Sequence, residues 1–175
     1  MTRWKPGNIV PKSRREYRVL GLAVCVGIFV FALDQLTKIA VLHRFSLGES
    51  LPVLPPLFAL TYVRNEGAAW SILSGHGWFL LLIALLVTVA VIYFFRELTE
   101  RCVERYFALL LVLGGVAGNS LDRILHGAVI DFLDFHWYDF YHYPVFNVAD
   151  IAICVGVGLF VLSTLLRPTN KPPAT

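Results

Sequence analysis

The sequence predicts an all-α integral membrane protein with four transmembrane helices, and with a small β-region and a short helix on its outer face. Hydrophobic residues make up 57% of the chain, charged residues only 15%, and the mean hydropathy is +0.68. Soluble domains average roughly 45–50% apolar and about 25% charged residues. The segment from Trp78 to Phe95 carries no charge and, as a helix, is about 27 Å long, enough for the hydrocarbon core of a bilayer.

Four apolar runs supply the predicted helices of a single polytopic domain covering residues 1–175. The first run begins at Val19 behind a basic arm and continues without a small-residue cleavage site to Leu42. A secretory signal peptide is therefore not favoured, and we expect an uncleaved membrane helix. The predicted helices cover residues 19–42, 78–95, 106–125 and 147–166.

Two long connections, residues 43–77 and 126–146, link these helices. Prolines at the start of the first connection exclude a helix there, and Leu57 to Arg64 is rich in β-forming residues, which predicts a strand or a small sheet. The following stretch NEGAAWSIL, residues 65–73, has the pattern of a short amphipathic helix.

The distribution of basic residues predicts the orientation of the helices. Eleven lie in the N-terminal arm, the loop after the second helix and the C-terminal tail, against four in the remaining parts: Lys38, Arg44, Arg64 and Arg123. Because positive charge marks the cytoplasmic side, both termini are expected in the cytoplasm and both long connections outside. The modest net charge of +3 does not form an extended basic face, so no nucleic-acid partner is expected.

Polar residues of three predicted helices fall at one depth. At about 1.5 Å per residue, Asp34 and Lys38 lie roughly 22–28 Å along the first helix, and Asn119 and Asp122 lie roughly 20–24 Å along the third. Asp150 lies one turn below the outer end of the fourth helix. Charged groups inside a membrane are costly, so their agreement in depth indicates a common site in the outer leaflet.

Each pair of polar residues also has a purely structural interpretation. Asp34 and Lys38 are spaced i, i+4 and favour a stabilising ion pair. Asn147 and Asp150 suit a capping box at a helix start. Asp122 and Arg123 fit a salt bridge between helices. Asp134 and Asp139 are expected to be solvated loop carboxylates.

A metal site is not favoured. His126, His136 and His142 have spacings that match no helical zinc motif, and the three cysteines share no metal-binding spacing. We expect Cys25 and Cys154 to be small buried apolar residues.

Several separated motifs resemble those of the bacterial lipoprotein signal peptidases, the signal peptidase II family. They lie between residues 30 and 160, in the order LDQLTK, NEGAAWS, GNSLDR, VIDF and FNVAD. Trp70 stands where phenylalanine is common in that family, and Glu66 where the family varies. Neither departure weakens the resemblance.

The resemblance implies an aspartic endopeptidase of the bacterial inner membrane, with its active site facing the periplasm. The implied catalytic residues are Asp131 and Asp150, and the implied substrate is a diacylglyceryl-modified prolipoprotein cut on the amino side of the lipidated cysteine. The implied substrate-binding and supporting residues are Asn65, Gly67, Asn119, Arg123 and Asn147, and Asp34, Lys38, Asp122 and Ala149. Membrane lipids are the other implied partners, and we expect a monomer without a cofactor or metal.

Two other classes of protein remain as alternatives. Intramembrane Asp, Asn and Arg also mark the pathways of small proton- or ion-coupled transporters. The charged residues occupy only the outer leaflet, however, and no inverted repeat is visible. A structural membrane subunit is the third interpretation, and it predicts that the aspartates can be replaced without loss of activity.

Overall fold

The computed structural model describes residues 13–67, 73–100, 102–137 and 140–167. Within these residues, five helices and four strands follow one another. The helices are α1 (Arg14–Arg44), α2 (Gly77–Tyr93), α3 (Phe95–Thr99), α4 (Val103–His126) and α5 (Val148–Leu166). The strands are β1 (Ser50–Leu54), β2 (Phe58–Asn65), β3 (Val129–Trp137) and β4 (Tyr141–His142).

Three of these helices, α1, α4 and α5, are long and apolar enough to cross a membrane. α2, predicted as the clearest span, has 17 residues and a length of about 26 Å. The predicted second helix was too long at its C-terminal end: the chain leaves α2 at Tyr93, and the next residues form the short helix α3.

Helices α1, α4 and α5 pack closely because glycines lie at their contacts. A Cβ atom on Gly114 of α4 would come within 2.6 Å of the carbonyl oxygen of Gly27 in α1. A Cβ atom on Gly156 of α5 would come equally close to the carbonyl oxygen of Ala108 in α4. Only hydrogen fits at these positions, so the backbones of the three helices approach without intervening side chains.

The four strands form one antiparallel sheet in the order β1-β2-β3-β4. The strand predicted over Leu57–Arg64 is confirmed as β2. β3, by contrast, lies in a connection for which the sequence analysis predicted no strand. The predicted short helix of residues 65–73 falls mostly on residues 68–72, outside the described part of the chain.

The sheet covers the end of the bundle where α1 and α4 terminate. Val41 of α1 packs with Tyr62 of β2 and with Ile130 and Phe132 of β3 in one buried cluster. A second cluster, Ala23, Phe95, Tyr106 and Leu109, fills the opposite end of the bundle. The core under the sheet therefore fixes β3 against the helices.

The cysteines differ from the expectation. Cys25 and Cys154 are exposed on the surfaces of α1 and α5, and all three cysteines are free. Their helix faces point outward from the bundle, where an apolar thiol suits a lipid environment. The expectation of burial within the protein was wrong.

Candidate active site

Lys38 joins the polar residues of α1 and α4. Its ammonium lies 2.8 Å from a carboxylate oxygen of Asp34 and 2.8 Å from one of Asp122, and it donates to Asn119 Oδ1 at 3.0 Å. The three charged side chains are at most 2% exposed. The expected Asp34–Lys38 pair is therefore confirmed, and it belongs to a larger network. Asp122 pairs with Lys38, not with Arg123.

The start of α5 is a capping box. The Asp150 amide N–H donates to Asn147 Oδ1 at 2.9 Å, and the Asn147 amide N–H donates to Asp150 Oδ2 at 3.2 Å. Both residues also contact other elements. Asn119 Nδ2 donates to Asp150 Oδ1 at 2.7 Å, and Asn147 Nδ2 donates to Asp131 Oδ1 at 2.7 Å. Capping and site formation thus use the same two residues.

Backbone contacts bring Asp131 of β3 to the start of α5. The Phe132 and Leu133 amide N–H groups donate to the Phe146 carbonyl, immediately before Asn147. β3 is also held to α4, because the Ile130 N–H donates to Asp122 Oδ2 at 3.1 Å. The chain after α4 therefore folds back across α4 and α5, and Asp131 and Asp150 both contact Asn147.

Asp131 is almost fully buried, with 1% of its surface exposed. Besides Asn147, its partner is Asn65 of β2, whose Nδ2 donates to Asp131 Oδ2 at 3.0 Å. Burial, and then the neighbouring charge of Asp150, raise the pKa of Asp131 to about 7. The hydrogen bonds from Asn65 and Asn147 oppose this rise without cancelling it. Asp131 can therefore hold a proton near neutral pH.

Arg123 and Gly67 lie at the edge of the same site. Arg123 Nη2 donates to the Gly67 carbonyl at 2.9 Å, and the Gly67 N–H donates to Asn65 Oδ1 at 3.0 Å. A cavity of about 350 Å³ opens between α2, α4 and α5. Its polar lining includes Asn65, Asn119, Arg123, Asp131 and Asp150, and its apolar lining includes Ala84, Val116 and Ile153.

Asp34 also receives hydrogen bonds from α5 and from its own neighbour on α1. The Ala149 amide N–H, at the first turn of α5, donates to Asp34 Oδ1 at 2.9 Å. Gln35, which the sequence analysis missed, places its Nε2 within hydrogen-bond distance of Asp34, Asp122 and the Gly118 carbonyl. Its position directly after Asp34 on a membrane helix was the available signal.

Asp134 is not the solvated loop carboxylate that the sequence predicted. It lies in β3, where Thr61 Oγ1 donates to its Oδ2 at 2.7 Å and His136 Nδ1 is 3.4 Å from its Oδ1. Strand pairing between β2 and β3 brings Thr61 against it. Asp139 lies outside the described residues. Within the described ranges, no group of three or more His, Cys, Asp or Glu side chains has the arrangement of a metal site.

Comparisons with known proteins give a consistent result. The model of the family described as signal peptidase (SPase) II matches residues 26–166. The lipoprotein signal peptidase of Actinobacillus succinogenes is 47% identical over 145 residues, covering 81% of this chain and 88% of the relative. That of Haemophilus influenzae is 49% identical over 145 residues, covering 81% of this chain and 84% of the relative.

The fold has a solved counterpart as well. A structure described as a bacterial membrane enzyme superposes with a TM-score of 0.80 at 34% identity, covering 89% of this chain and 94% of that one. A second structure with the same description gives a TM-score of 0.74 at 36% identity, covering 85% and 95%.

The helical fold, the buried carboxylate site and these similarities define a membrane peptidase. The chain belongs to the signal peptidase II family, and its function is the removal of signal peptides from prolipoproteins. The family resemblance inferred from the separated motifs is confirmed. The transporter alternative is not supported.

Proposed function

We propose that the protein is an aspartic endopeptidase in which Asp131 and Asp150 form the catalytic dyad. The observation that carries this proposal is that both carboxylates contact Asn147 and line one cavity. Two close carboxylates cannot both ionise easily, so they share one proton near neutral pH. The raised pKa of Asp131, about 7, supports such sharing.

In the proposed reaction the ionised carboxylate accepts a proton from a water molecule, which attacks the scissile carbonyl carbon. The protonated carboxylic acid donates its proton to the carbonyl oxygen, giving a tetrahedral intermediate. The C–N bond then breaks as the cysteine nitrogen takes a proton from one carboxyl group, while the other carboxylate accepts a proton from a hydroxyl of the intermediate, which gives the carboxylic acid product and returns the dyad to its starting state. The dyad titrates as a unit, so its pH profile belongs to the pair.

The remaining predicted site residues have binding and supporting roles in this proposal. Asn65, Asn119, Asn147, Gly67 and Arg123 line or border the cavity and hold the substrate backbone and the dyad. Asp34, Lys38, Asp122 and Ala149 support them from behind. Neither a metal nor a cofactor takes part in the proposed reaction.

The proposed substrate is a prolipoprotein whose cysteine carries diacylglycerol, cut on the amino side of that cysteine. The supporting observation is the position of the dyad: Asp150 lies in the first turn of a helix whose remaining length is uncharged and mostly apolar. A lipidated cysteine is anchored at the bilayer surface, so its scissile bond lies at the depth of such a helix end.

Purified protein incubated with a diacylated lipobox peptide and with the same peptide unlipidated tests this substrate. We expect the product masses for the diacylated peptide alone. Equal cleavage of both peptides would contradict the requirement for the lipid, and cleavage at another bond would contradict the position.

The proposed topology has four membrane-crossing helices, α1, α2, α4 and α5, in a monomer of the bacterial inner membrane without a nucleic-acid partner. Both termini are cytoplasmic, and the sheet and dyad face the periplasm. The excess of basic residues at the ends opposite the sheet supports this orientation.

Thiol labelling of intact spheroplasts with a membrane-impermeant reagent tests the orientation. Cys102, between α3 and α4, should be protected, whereas a cysteine introduced by Ser46→Cys, between α1 and β1, should react. Reaction of Cys102 with protection at position 46 would reverse the orientation.

A further inference from the structure

The ammonium of Lys38 determines which way the amide of Asn119 faces. An ammonium group has three N–H donors and no acceptor. Its three partners are the carboxylates of Asp34 and Asp122 and the side-chain oxygen of Asn119, at 2.8, 2.8 and 3.0 Å. If the Asn119 amide were rotated by 180°, its NH₂ group would face these N–H donors, and both groups would lose a hydrogen bond.

The orientation of this amide passes on to the dyad. Asn119 Oδ1 also accepts from Asn147 Nδ2 at 3.0 Å, so both lone pairs of the oxygen are used. The NH₂ group of Asn119 is then left to donate to Asp150 at 2.7 Å. The NH₂ group of Asn147, for its part, donates to Asp131 at 2.7 Å. Asp150 thus receives a side-chain N–H whose direction depends on Lys38, whereas the Asn147 amide is also oriented by its own Oδ1, which accepts from the Asp150 N–H at 2.9 Å.

We propose that Lys38 is a positioning residue that acts on Asp150 through the amide of Asn119. This inference rests on the proposed dyad and adds a function to a lysine that lies outside the cavity lining. Without the ammonium, the Asn119 oxygen keeps only the Asn147 N–H as a donor, so the Asn119 amide is held less firmly. The N–H that it donates to Asp150 then loses its fixed direction, and Asp150 leaves its catalytic position.

The charges around the dyad give this role a signature in the pH profile. The facing groups are Asp34 and Lys38 of α1, Asp122 and Arg123 of α4, Asp131 of β3 and Asp150 of α5. The positive charge of Lys38 lowers the pKa of Asp131, against the larger effect of burial. Loss of the Lys38 charge, and of the N–H that Asn119 donates to the ionised Asp150 carboxylate, should move the acidic limb of the kcat profile to higher pH.

A charge-balanced variant tests the proposal while limiting damage to the fold. Lys38→Met alone leaves Asp34 and Asp122 buried without their cation, which can prevent folding. Lys38→Met combined with Asp122→Asn keeps one net negative charge in the cluster. We expect this protein to fold with a kcat about 10²-fold below that of the Asp122→Asn protein, because a small misplacement of a catalytic group has effects of this size. KM should change little.

Gln35→Met is the matched control. It removes the amide that contacts Asp34, Asp122 and Gly118, while leaving the Lys38–Asn119 contact in place. If network packing alone mattered, this substitution would lower kcat as much as the loss of Lys38. We expect instead a lower melting temperature with the kcat and the pH profile of the wild type.

A double-mutant cycle shows whether Lys38 acts through Asn119. In an Asn119→Ala background, the Lys38 and Asp122 substitutions should change kcat by no more than about twofold relative to Asp122→Asn in that background. Additive losses would overturn the proposal. An unshifted acidic limb, or failure of the charge-balanced variant to fold, would overturn it as well, since either result assigns Lys38 a purely structural role. Cleavage by Asp131→Asn, run in parallel, would instead contradict the dyad itself.

Discussion

Two polar clusters join α4 to α5, one at each end of the bundle, and they differ in how their charges are compensated. At the end under the sheet, the dyad cluster (Asn119, Asp131, Asn147 and Asp150) holds two carboxylates with donors that are uncharged amides. At the other end lies a second cluster, Glu100, Arg105, Phe160 and Ser163, which we call the inner cluster. It is built around the buried guanidinium of Arg105.

In the inner cluster the positive charge of Arg105 is compensated by an ion pair, a hydrogen bond and an aromatic ring. Arg105 pairs with Glu100 at 2.8 Å, donates to Ser163 at 3.0 Å and lies over the Phe160 ring. Such an arrangement compensates a charge that burial would otherwise leave unpaired. The dyad cluster leaves two carboxylates without that compensation beside a cavity. Both clusters hold buried polar side chains and join the same two helices, so charge compensation is what distinguishes the proposed catalytic cluster from a packing contact.

The largest effect on kcat is expected when either carboxylate of the proposed dyad is replaced by an amide. Asp131→Asn and Asp150→Asn should each lower kcat by at least 10²–10⁴-fold, about the contribution of general acid–base catalysis. Asp134→Asn is the matched control, because it lies three residues along β3 and bonds to Thr61. It should retain most activity. Cleavage of the diacylated peptide, measured by mass, compares kcat among these variants. Substantial turnover by either dyad variant would mean that the dyad cluster does not differ in function from the inner cluster.

The second test concerns stability against pH. The folded-state pKa of Asp131 is raised to about 7 from 3.8, so the folded protein holds a proton that the unfolded chain has released between about pH 4 and pH 7. The free energy of unfolding contributed by this group therefore falls as pH rises through that window. Asp131→Asn should melt progressively higher relative to wild type from pH 4 to pH 8. A constant difference in melting temperature would contradict the raised pKa.

The inner cluster should respond in the opposite way to the dyad. Arg105→Met removes hydrogen bonds to a charged group, each contributing about 1.5–3 kcal/mol, while the partly exposed Glu100 can be solvated. We expect a destabilised protein whose folded fraction keeps the wild-type kcat. Thermal unfolding and turnover per folded molecule distinguish these effects. A specific loss of kcat would mean that the inner cluster takes part in function.

The smallest effect is expected from the packing between the two clusters. Gly156→Ala places a Cβ atom 2.6 Å from the Ala108 carbonyl oxygen, and overpacking of this kind costs about 1–3 kcal/mol. Gly158→Ala, two residues along α5, meets no atom within 4 Å. Unfolding in detergent should show a loss for the first variant and none for the second. Equal melting temperatures would mean that α4 and α5 can separate slightly at no cost.

The sequence predicted the parts of this comparison that depend on local spacing. The Asp34–Lys38 pair, the capping box of Asn147 and Asp150, and strand β2 follow from patterns within a few residues. It did not predict β3, because strand pairing with β2 joins residues more than sixty positions apart. Asp134 was misassigned for the same reason.

Arg105 shows a different limit. It was counted among the basic residues of a cytoplasmic loop, yet it lies in the first turn of α4 and is 3% exposed. Its partners Ser163 and Phe160 are more than fifty residues further along the sequence, so no local pattern predicted its burial. Residue type alone could not separate a charge facing water from one buried between helices.

In the proposed reaction, the length of α5 makes turnover depend on the thickness of the surrounding bilayer. Its 19 residues measure about 28 Å, close to the roughly 30 Å thickness of a hydrocarbon core, and Asp150 lies in its first turn. A thicker bilayer would draw that turn below the interface, away from the water consumed in hydrolysis. A thinner one would lift it clear of the anchored cysteine. Under the proposed mechanism, hydrophobic mismatch would therefore change turnover, and the acyl-chain length of the host membrane would be a determinant of the rate.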